Sequence, residues 1–354
     1  MTSTDLSPSD ALIAEDTTHI LDRLEPVFNE LKGARLFLTG GTGFIGRWLL
    51  QVIKTANAER GADISVTVLT RDLAAFSAKF PAFFYGKGLQ FLTGDVTHEQ
   101  KPLGEFSHLI HAATEASAEL NANMPNKMFE TAVWGTQNML DFATRAGVER
   151  VLFLSSGAVY GQQPWELTHV PETWTGAPDC TNPVNTYAEA KRAAEMLCAI
   201  YGKQFQQQIT TARIFGLLGP FLRLDIHFAV GNFIRDALAG RKIVVKGNGR
   251  PYRSMLYTSD LVVWLFTLLV RGRAGTSYNV GSEQGISIAD LAELVATTLG
   301  NAGFEILGAA DAGWNLGRYV PDTKLITSEL NLSREVSLQD AIQRTAQFNG
   351  WTAA

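Results

Sequence analysis

The chain has 354 residues, of which 46% are hydrophobic and 18% are charged. It therefore has enough apolar material for a folded core, which excludes disorder as its main state, and its length fits two domains or one large unit with an added lobe. The 30 Lys and Arg side chains against 35 Asp and Glu give a formal net charge of −5. This weakly acidic balance indicates no nucleic-acid partner.

The cysteine content and the hydropathy of the chain indicate the cellular compartment in which it is expected. Two cysteines, Cys180 and Cys198, fit neither a disulfide scaffold nor a zinc site and are compatible with a reducing compartment. The first ten residues lack the features of a signal peptide. The longest apolar run, from Leu261 to Val270, is about half the roughly 20 residues needed to span a bilayer. We therefore expect a cytoplasmic protein with no metal and no membrane partner.

Residues 1–33 are polar at first and then carry apolar residues at helical spacing. These residues are Leu12, Ile13, Ile20, Leu21, Leu24, Val27, Phe28 and Leu31. The spacing predicts an N-terminal helical extension that packs on the rest of the chain or contacts a second subunit. No chemistry is assigned to it.

From Ala34 onward, short β-rich runs alternate with longer helical stretches. The predicted strands are Arg35–Thr39, Ser65–Leu69, Leu89–Leu92, His108–His111, Val151–Leu154 and Thr210–Ile214, and the predicted helices are Phe44–Ala58, Met124–Ala146 and Tyr187–Tyr201. This alternation, with continuously apolar strands, predicts an α/β protein with a doubly wound parallel sheet. Beyond Phe215 the rhythm loosens, which indicates a smaller C-terminal lobe.

A glycine-rich segment joins the first strand to the first helix of this series. Gly40, Gly43 and Gly46 follow Thr39 at three-residue intervals. Glycines in this place permit a tight turn and a close approach of the backbone to a pyrophosphate, while the helix N-terminus supplies N–H donors. The segment therefore predicts a dinucleotide site.

The ends of the next two strands bear on which dinucleotide binds. An acidic residue after the second strand would hydrogen-bond the adenosine ribose of NAD, whereas an arginine suits the 2′-phosphate of NADP. The chain has Thr70 and Arg71 there, which favours NADP(H) slightly over NAD(H). Asp95, after the third strand, is placed to accept from the adenine amino group or to cap its own loop.

A tyrosine and a lysine four residues apart begin a predicted helix. Tyr187 and Lys191 lie on one face of that helix, and the strand Val151–Leu154 runs into Ser155 and Ser156. A tyrosine is a poor base at neutral pH, but an ammonium beside it and a positively charged nicotinamide would favour the phenolate. A serine hydroxyl would hold the substrate oxygen next to that phenol. We therefore interpret Ser156, Tyr187 and Lys191 as catalytic.

With these motifs the sequence resembles the extended short-chain dehydrogenases/reductases of the nucleotide-sugar epimerase/dehydratase group. The resemblance covers the chain from Ala34 to about Phe348. It rests on Thr39–Gly46, His111–Ala113, Ser155–Gly161, Tyr187–Lys191, Arg213–Phe215 with Gly219 and Pro220, Arg253–Asp260, Tyr278–Gly281 and Arg318–Thr323.

The resemblance implies a Rossmann dinucleotide-binding domain at residues 34–215, to which residues 255–280 return. It also implies a nucleotide-sugar-binding lobe formed by residues 216–254 and 281–354. The cofactor NAD(P) would contact Gly40, Gly43, Phe44, Ile45, Gly46, Arg71, Asp95, Val96, Ala112, Ala113, Tyr187 and Lys191.

For the catalytic residues, the resemblance implies that Tyr187 is the acid/base, that Lys191 orients the cofactor ribose and tunes Tyr187, and that Ser156 binds the substrate. Asn232 and Arg253 would hold the nucleotide diphosphate, since guanidinium groups pair bidentately with phosphate. Arg318 is a further candidate for the same anion. His227 is either a proton donor that contacts the sugar or a polar residue at a loop-to-helix junction.

The departures from the family pattern narrow the chemistry. Members that resemble sugar 4,6-dehydratases have an Asp-Glu pair where this chain has Gly157 and Ala158, and decarboxylases of the group have a glutamate at the place of Ala158. Small residues there favour a nucleotide-sugar epimerase with room for a transient keto-sugar to turn. An NADPH-dependent keto-sugar reductase is the first alternative, favoured by Arg71. The second alternative is a dehydratase that uses a non-standard acid/base group. The alternative that the sequence favours least is a non-catalytic dinucleotide-binding protein.

The predicted helices Met124–Ala146 and Tyr187–Tyr201 have wide apolar stripes that predict a homodimer. Trp134, Phe142 and Met196 widen the apolar stripes of Met124–Ala146 and Tyr187–Tyr201 beyond what one sheet face needs. Two-fold pairing of these helices, which the resemblance also implies, would bury them. The rival prediction is that the N-terminal helix of residues 10–33 covers them instead.

Overall fold

The computed structural model describes residues 7–101, 104–114, 118–225, 229–300, 303–308 and 317–352. The strands are β1 Arg35–Thr39, β2 Ser65–Thr70, β3 Leu89–Thr93, β4 His108–His111, β5 Arg150–Ser156, β6 Gln208–Ile214, β7 Leu217–Leu218, β8 Ile243–Val245, β9 Tyr252–Arg253, β10 Leu256–Tyr257, β11 Ser277–Val280, β12 Ile286–Ser287, β13 Phe304–Ile306 and β14 Arg318–Tyr319. The helices are α1 Pro8–Glu30, α2 Phe44–Glu59, α3 Leu73–Lys79, α4 Ala118–Asn123, α5 Pro125–Arg145, α6 Thr186–Phe205, α7 Ala229–Leu238, α8 Thr258–Arg271, α9 Ile288–Thr298, α10 Lys324–Leu330 and α11 Leu338–Phe348.

Seven of the described strands form a parallel sheet in the order β3–β2–β1–β4–β5–β6–β11. The predicted α/β class and the doubly wound sheet are confirmed. The chain runs outward from β1 in both directions, so the carboxyl ends of β1 and β4 flank the crevice where ligands bind in such sheets. Late in the chain, β11 returns to this sheet beside β6.

Both faces of the sheet are covered, because successive side chains in each strand point to opposite sides. Leu36 and Leu38 face a core shared with α1, α2 and α8. Phe37, between them, faces a second core shared with α5 and α6. This double burial explains why the strands are apolar throughout instead of alternating with polar residues.

The N-terminal helix α1 lies on the α2 and α8 side of the sheet. Its buried residues Ile20, Leu21 and Leu24 pack into the core on that side. Arg23 also pairs with the buried Asp260 at 2.6 Å. The rival prediction, that α1 covers α5 and α6, is therefore wrong, because those two helices pack on the other face of the sheet.

The outer surface of α5 and α6 has no described element over its large apolar side chains. Trp134 is 52% exposed and Met196 is 62% exposed. The prediction that grouped Phe142 with them is wrong, since Phe142 is only 1% exposed. It points toward the sheet and packs on Phe37, with 4.3 Å between the ring centroids.

The C-terminal elements α7, α9 and α11, with β8, enclose a separate apolar core. Beside it, β9 lies between β12 and β14 in a small three-stranded sheet. The division into domains remains a prediction. No described helix is long and apolar enough to cross a membrane.

Candidate active site

The glycine-rich turn after β1 is too tightly packed to hold side chains at two of its three spaced glycines. A β-carbon on Gly40 would lie 2.5 Å from the carbonyl oxygen of Ala112, and one on Gly46 would lie 2.3 Å from that of Gly40. Gly40 also has a φ of +71°, which glycine adopts without strain. Gly43 begins α2 without a side chain to cap its first-turn N–H groups. This cradle fits a dinucleotide pyrophosphate.

The predicted adenosine-contacting residues lie at the ends of β2 and β3. Thr70 and Val96 are buried, and Arg71 lies near Asp95. Burial disfavours the ionised form of Asp95. The N–H and hydroxyl of Thr97 nevertheless donate to it at 2.9 Å each and, with the charge of Arg71, hold the pKa of Asp95 below its usual value. Asp95 is therefore a carboxylate at neutral pH.

A cavity of about 530 Å³ lies between the end of β3 and the start of α5. Asp95 and Thr97 form one wall, and residues 123–127 with Glu130 and Thr131 form the other. Both hydrogen bonds from Thr97 go to Oδ1 of Asp95. Oδ2 therefore remains as an acceptor for a ligand in this cavity.

A hydrogen-bond chain at the end of β4 fixes the backbone of Ala112 and Ala113. Their N–H groups each donate to Thr39 Oγ1 at 3.2 Å. Because that oxygen accepts twice, its own proton is directed to Nδ1 of His111, 2.7 Å away. The ring proton of His111 therefore lies on Nε2, which donates to Thr136 at 3.1 Å. Burial lowers the pKa of His111 to about 3, so the ring stays neutral.

Ser156, Tyr187 and Lys191 meet where β5 ends and α6 begins. Tyr187 lies close enough to Ser156 for the serine hydroxyl to lower its pKa. Lys191 is buried and donates to the carbonyl oxygen of Leu154 at 2.7 Å and to Thr114 Oγ1 at 3.1 Å. An ammonium has three N–H groups, so one remains for a ligand. The structure thus brings together the three residues predicted to be catalytic.

The protonation states of Tyr187 and Lys191 differ from those that their spacing on the helix led us to expect. Burial raises the pKa of Tyr187, and the nearby Ser156 hydroxyl opposes that shift only in part. Burial also lowers the pKa of Lys191 to about 8. We expected the Lys191 ammonium to draw the pKa of Tyr187 toward neutrality. The protein's own groups instead keep Tyr187 a neutral phenol, because desolvation outweighs the favourable contacts.

Tyr319 is a site residue that sequence reasoning missed. Its hydroxyl lies 3.4 Å from Ser156 Oγ and 3.4 Å from the carbonyl oxygen of Ile214. Its ring packs on Phe215, with 4.6 Å between the centroids, and burial raises its pKa far above the ordinary value, so it is a neutral donor. The signal was present, since Tyr319 follows Arg318 in a motif already singled out.

Arg253 and Arg318 lie on opposite faces of the small sheet. The register pairs Tyr319 with Arg253 and Arg318 with Tyr252, and paired residues share a face while successive residues do not. The Arg318 guanidinium accordingly lies between the rings of Tyr252 and Trp165, 4.7 and 4.0 Å from their centroids. The prediction that both arginines hold one anion conflicts with this placement. Arg253 alone shares the face of Tyr319.

The other predicted substrate residues are less informative. Asn232 is half-buried in α7, and His227 lies outside the described residues.

Gly157 gives no free space, because a β-carbon there would lie 2.6 Å from Cζ of Phe215. The small residue therefore accommodates a ring of the protein, which corrects the expectation of a roomy site at this position.

Comparison with known proteins agrees with this geometry. The family model for the NAD dependent epimerase/dehydratase family matches residues 36–281, which is more than half of the chain. The chain belongs to this family. It is thus an NAD-dependent enzyme of the epimerase/dehydratase type, and α1 lies before the segment that the family model matches.

Curated relatives of this family member include UDP-glucuronic acid decarboxylases. The Xenopus tropicalis decarboxylase 1 is 30% identical over 315 residues, 89% of this chain and 72% of that protein. The Arabidopsis thaliana decarboxylase 3 is 30% identical over 309 residues, 87% and 86% of the two chains.

Solved structures of the same architecture include a dTDP-glucose 4,6-dehydratase from Streptomyces venezuelae with NAD and TYD bound. It is 26% identical, with a TM-score of 0.75 and coverage of 89% of this chain and 96% of that one. The UDP-glucose 4-epimerase of Thermotoga maritima has the same fold, with a TM-score of 0.74, 20% identity, and coverage of 89% and 98%.

Proposed function

We propose that the protein is an NAD(P)-dependent nucleotide-sugar epimerase that acts through a transient keto-sugar. One observation carries this proposal: Tyr187 and Tyr319 both lie near Ser156, while positions 157 and 158 hold Gly and Ala. The site therefore has one tyrosine–lysine pair for hydroxyl oxidation and no carboxylate beside it at those positions. The names of the relatives, which cite UDP- and dTDP-linked sugars, support the substrate class.

The bound NAD(P) would supply the hydride acceptor and return the hydride. Ser156 binds the reacting hydroxyl of the sugar, and Tyr187 exchanges the proton of that hydroxyl. The third N–H of Lys191 orients the cofactor ribose. Arg253, on the face of Tyr319, pairs with the diphosphate, because its guanidinium donates to the carbonyl oxygens of Tyr252 and Gly317 and to no described carboxylate.

One residue argues against the reaction of the decarboxylase relatives in this chain. The resemblance places the glutamate of such enzymes where this chain has Ala158, a residue that exchanges no proton. The dehydratase pair is missing at Gly157 and Ala158 in the same way. Phe215 closes the space at Gly157, so no neighbouring carboxylate enters there without moving the ring.

The second candidate function is an NADPH-dependent keto-sugar reductase. Its support is Arg71, which follows Thr70 where an NAD-binding carboxylate would stand and lies near Asp95. The same observation supports a modest preference for NADP(H). A reductase would release oxidised cofactor in every turnover, whereas an epimerase would regenerate its cofactor.

The decisive experiment screens UDP-, dTDP-, CDP- and GDP-sugars by thermal shift, since a ligand raises stability by mass action. Each stabilising sugar is then incubated with NAD or NADP, the corresponding keto-sugar is incubated with NADPH, and the products are followed by proton NMR. An epimer formed without net cofactor consumption supports the proposal. Stoichiometric NADPH oxidation with a keto-sugar favours the reductase, and release of CO₂ or net loss of water from the sugar overturns the epimerase assignment.

A further inference from the structure

Glu195 occupies a half-buried position one helical turn beyond Lys191 on α6. Its Oε1 accepts from the hydroxyl of Ser155 at 2.5 Å. The guanidinium of Arg213 donates to Oε2 through Nη2 at 2.7 Å and to Oε1 through Nε at 3.1 Å. Both carboxylate oxygens are thus engaged, and the Glu195 side chain is only 13% exposed.

The partners of Glu195 are the chain neighbours of site residues. Ser155 immediately precedes Ser156 in β5. Arg213 immediately precedes Ile214 in β6, and the carbonyl oxygen of Ile214 lies 3.4 Å from the hydroxyl of Tyr319. A shift of the Glu195 carboxylate would therefore act on both sides of the site through the two strands.

The network continues from Arg213 toward the strand that carries Tyr319. Arg213 Nη1 donates to the Tyr160 hydroxyl at 2.9 Å, and that hydroxyl donates to Asn279 Oδ1 at 2.7 Å. Asn279 Nδ2 then donates to the carbonyl oxygen of Asp322 at 2.9 Å, three residues after Tyr319. One continuous polar chain thus links α6, β5, β6, β11 and the segment after β14.

We propose that Glu195 is a positioning residue that holds Ser156 in place through Ser155 and presents its carboxylate one helical turn from Lys191 on α6. The inference rests on the proposed function, in which Lys191 and Ser156 bind cofactor and substrate. Glu195 itself touches neither of these ligands in this assignment.

The groups that face Lys191 explain why a carboxylate is required. His111, from β4, is neutral, and burial raises the pKa of the Cys198 thiol so that it too is neutral. Among the described neighbours of Lys191, Glu195 supplies negative charge, which opposes the desolvation that lowers the pKa of Lys191 to about 8. The positive Arg213 guanidinium, 2.7 Å from Glu195, offsets part of that charge. Glutamine would keep the shape of Glu195 and the hydrogen bonds to one of its two oxygens, but it would remove this charge and place an N–H donor where the other oxygen accepts.

The test measures the titration of Lys191 directly in the protein without substrate or cofactor. Trace acetylation with acetic anhydride, followed by mass spectrometry of the Lys191 peptide from pH 6 to 10, reports the pH at which half of the amine is reactive. We compare wild type with Glu195→Gln. The matched control is Glu189→Gln, which removes another α6 carboxylate that pairs with Arg192 at 3.6 Å.

Glu195→Gln is expected to move the Lys191 midpoint about one unit to lower pH, as loss of a nearby opposite charge does. The alkaline limb of the kcat profile is expected to move with it, while Glu189→Gln leaves both unchanged. An unaltered Lys191 midpoint in folded Glu195→Gln overturns the proposal. Because this midpoint needs no turnover, failure of the epimerase assignment would leave the measurement interpretable.

If Glu195→Gln does not fold, Ser155→Ala decides the proposal. It removes one hydroxyl contact of Glu195 and keeps all charges. We expect a severalfold higher KM for the nucleotide sugar with the Lys191 midpoint retained, because the carboxylate remains but Ser156 loses its support. An unchanged KM in this variant overturns the proposed link between Glu195 and Ser156.

Discussion

The ring of Phe215 fills the space beside Gly157. A β-carbon on Gly157 would lie 2.6 Å from Cζ of that ring and less than 3 Å from two further ring atoms. The Phe215 ring also packs on the ring of Tyr319, with 4.6 Å between the two centroids. Gly157 therefore packs on Phe215, which packs on Tyr319. A larger side chain at position 157 would push the Phe215 ring and displace the Tyr319 hydroxyl, which lies 3.4 Å from Ser156 Oγ.

Gly157→Ala is expected to lower the free energy of unfolding by about 1–3 kcal/mol, the usual cost of overpacking. It should also reduce kcat, because the displaced Phe215 ring moves Tyr319. Denaturant unfolding and steady-state kinetics measure the two effects. Adding Phe215→Leu should recover stability. Gly202→Ala is the control, since its β-carbon would meet nothing closer than 3.5 Å, and equal stability of Gly157→Ala and wild type would contradict the packing argument.

Tyr187→Phe is expected to lower kcat by roughly 10²- to 10⁴-fold, the range for loss of an acid/base group. Nucleotide-sugar affinity should remain nearly unchanged, because the ring and its neighbours stay in place. Tyr319→Phe removes one neutral hydrogen bond and should cost about tenfold or less. Kinetics and isothermal titration of both variants test this order. Activity of Tyr187→Phe within threefold of wild type would remove Tyr187 from the mechanism.

Arg71→Ala is expected to shift cofactor preference toward NAD(H). The guanidinium lies near Asp95 at the end of β3, where it can meet a 2′-phosphate. Dissociation constants for NADP and NAD, measured on wild type and variant, test the shift. Lys87→Ala, a substitution outside the proposed site, is the control. Clear selectivity of the wild type for NAD that Arg71→Ala leaves unchanged would contradict the role given to Arg71.

Local patterns predicted the elements of the sheet well. β1 and β4 have the predicted bounds, and the predicted helix Phe44–Ala58 ends one residue later, at Glu59. β1 and β4 are buried on both faces of the sheet, and α2 has apolar residues at helical spacing, so each pattern indicates one type of element. The ends of β5 were less predictable, because Ser155 and Ser156 are polar yet paired with Arg213 and Ile214 of β6.

Long-range packing accounts for what the sequence did not predict. Whether Phe142 faces the sheet or the outside depends on the rotation of α5, which Phe37 and Phe106 fix. Tyr319 reaches Ser156 only because β14 pairs with β9 across some 65 residues of chain. The raised pKa of Tyr187 is likewise a property of its burial, to which residues distant in sequence contribute.

Large apolar side chains exposed on α5 and α6 predict that the protein self-associates through these helices. Trp134 and Met196 are exposed on these helices while α1 lies on the other face of the sheet, so a second copy of the chain is the expected cover. We expect a homodimer by light scattering at micromolar concentration. Trp134→Glu with Met196→Glu should weaken it by roughly 30-fold or more, since losing a central aromatic contact costs about 2 kcal/mol. Tyr85→Glu, at a site 88% exposed elsewhere, should leave the dimer intact. A monomeric mass for the wild type would refute the prediction and leave the α5–α6 surface to another partner.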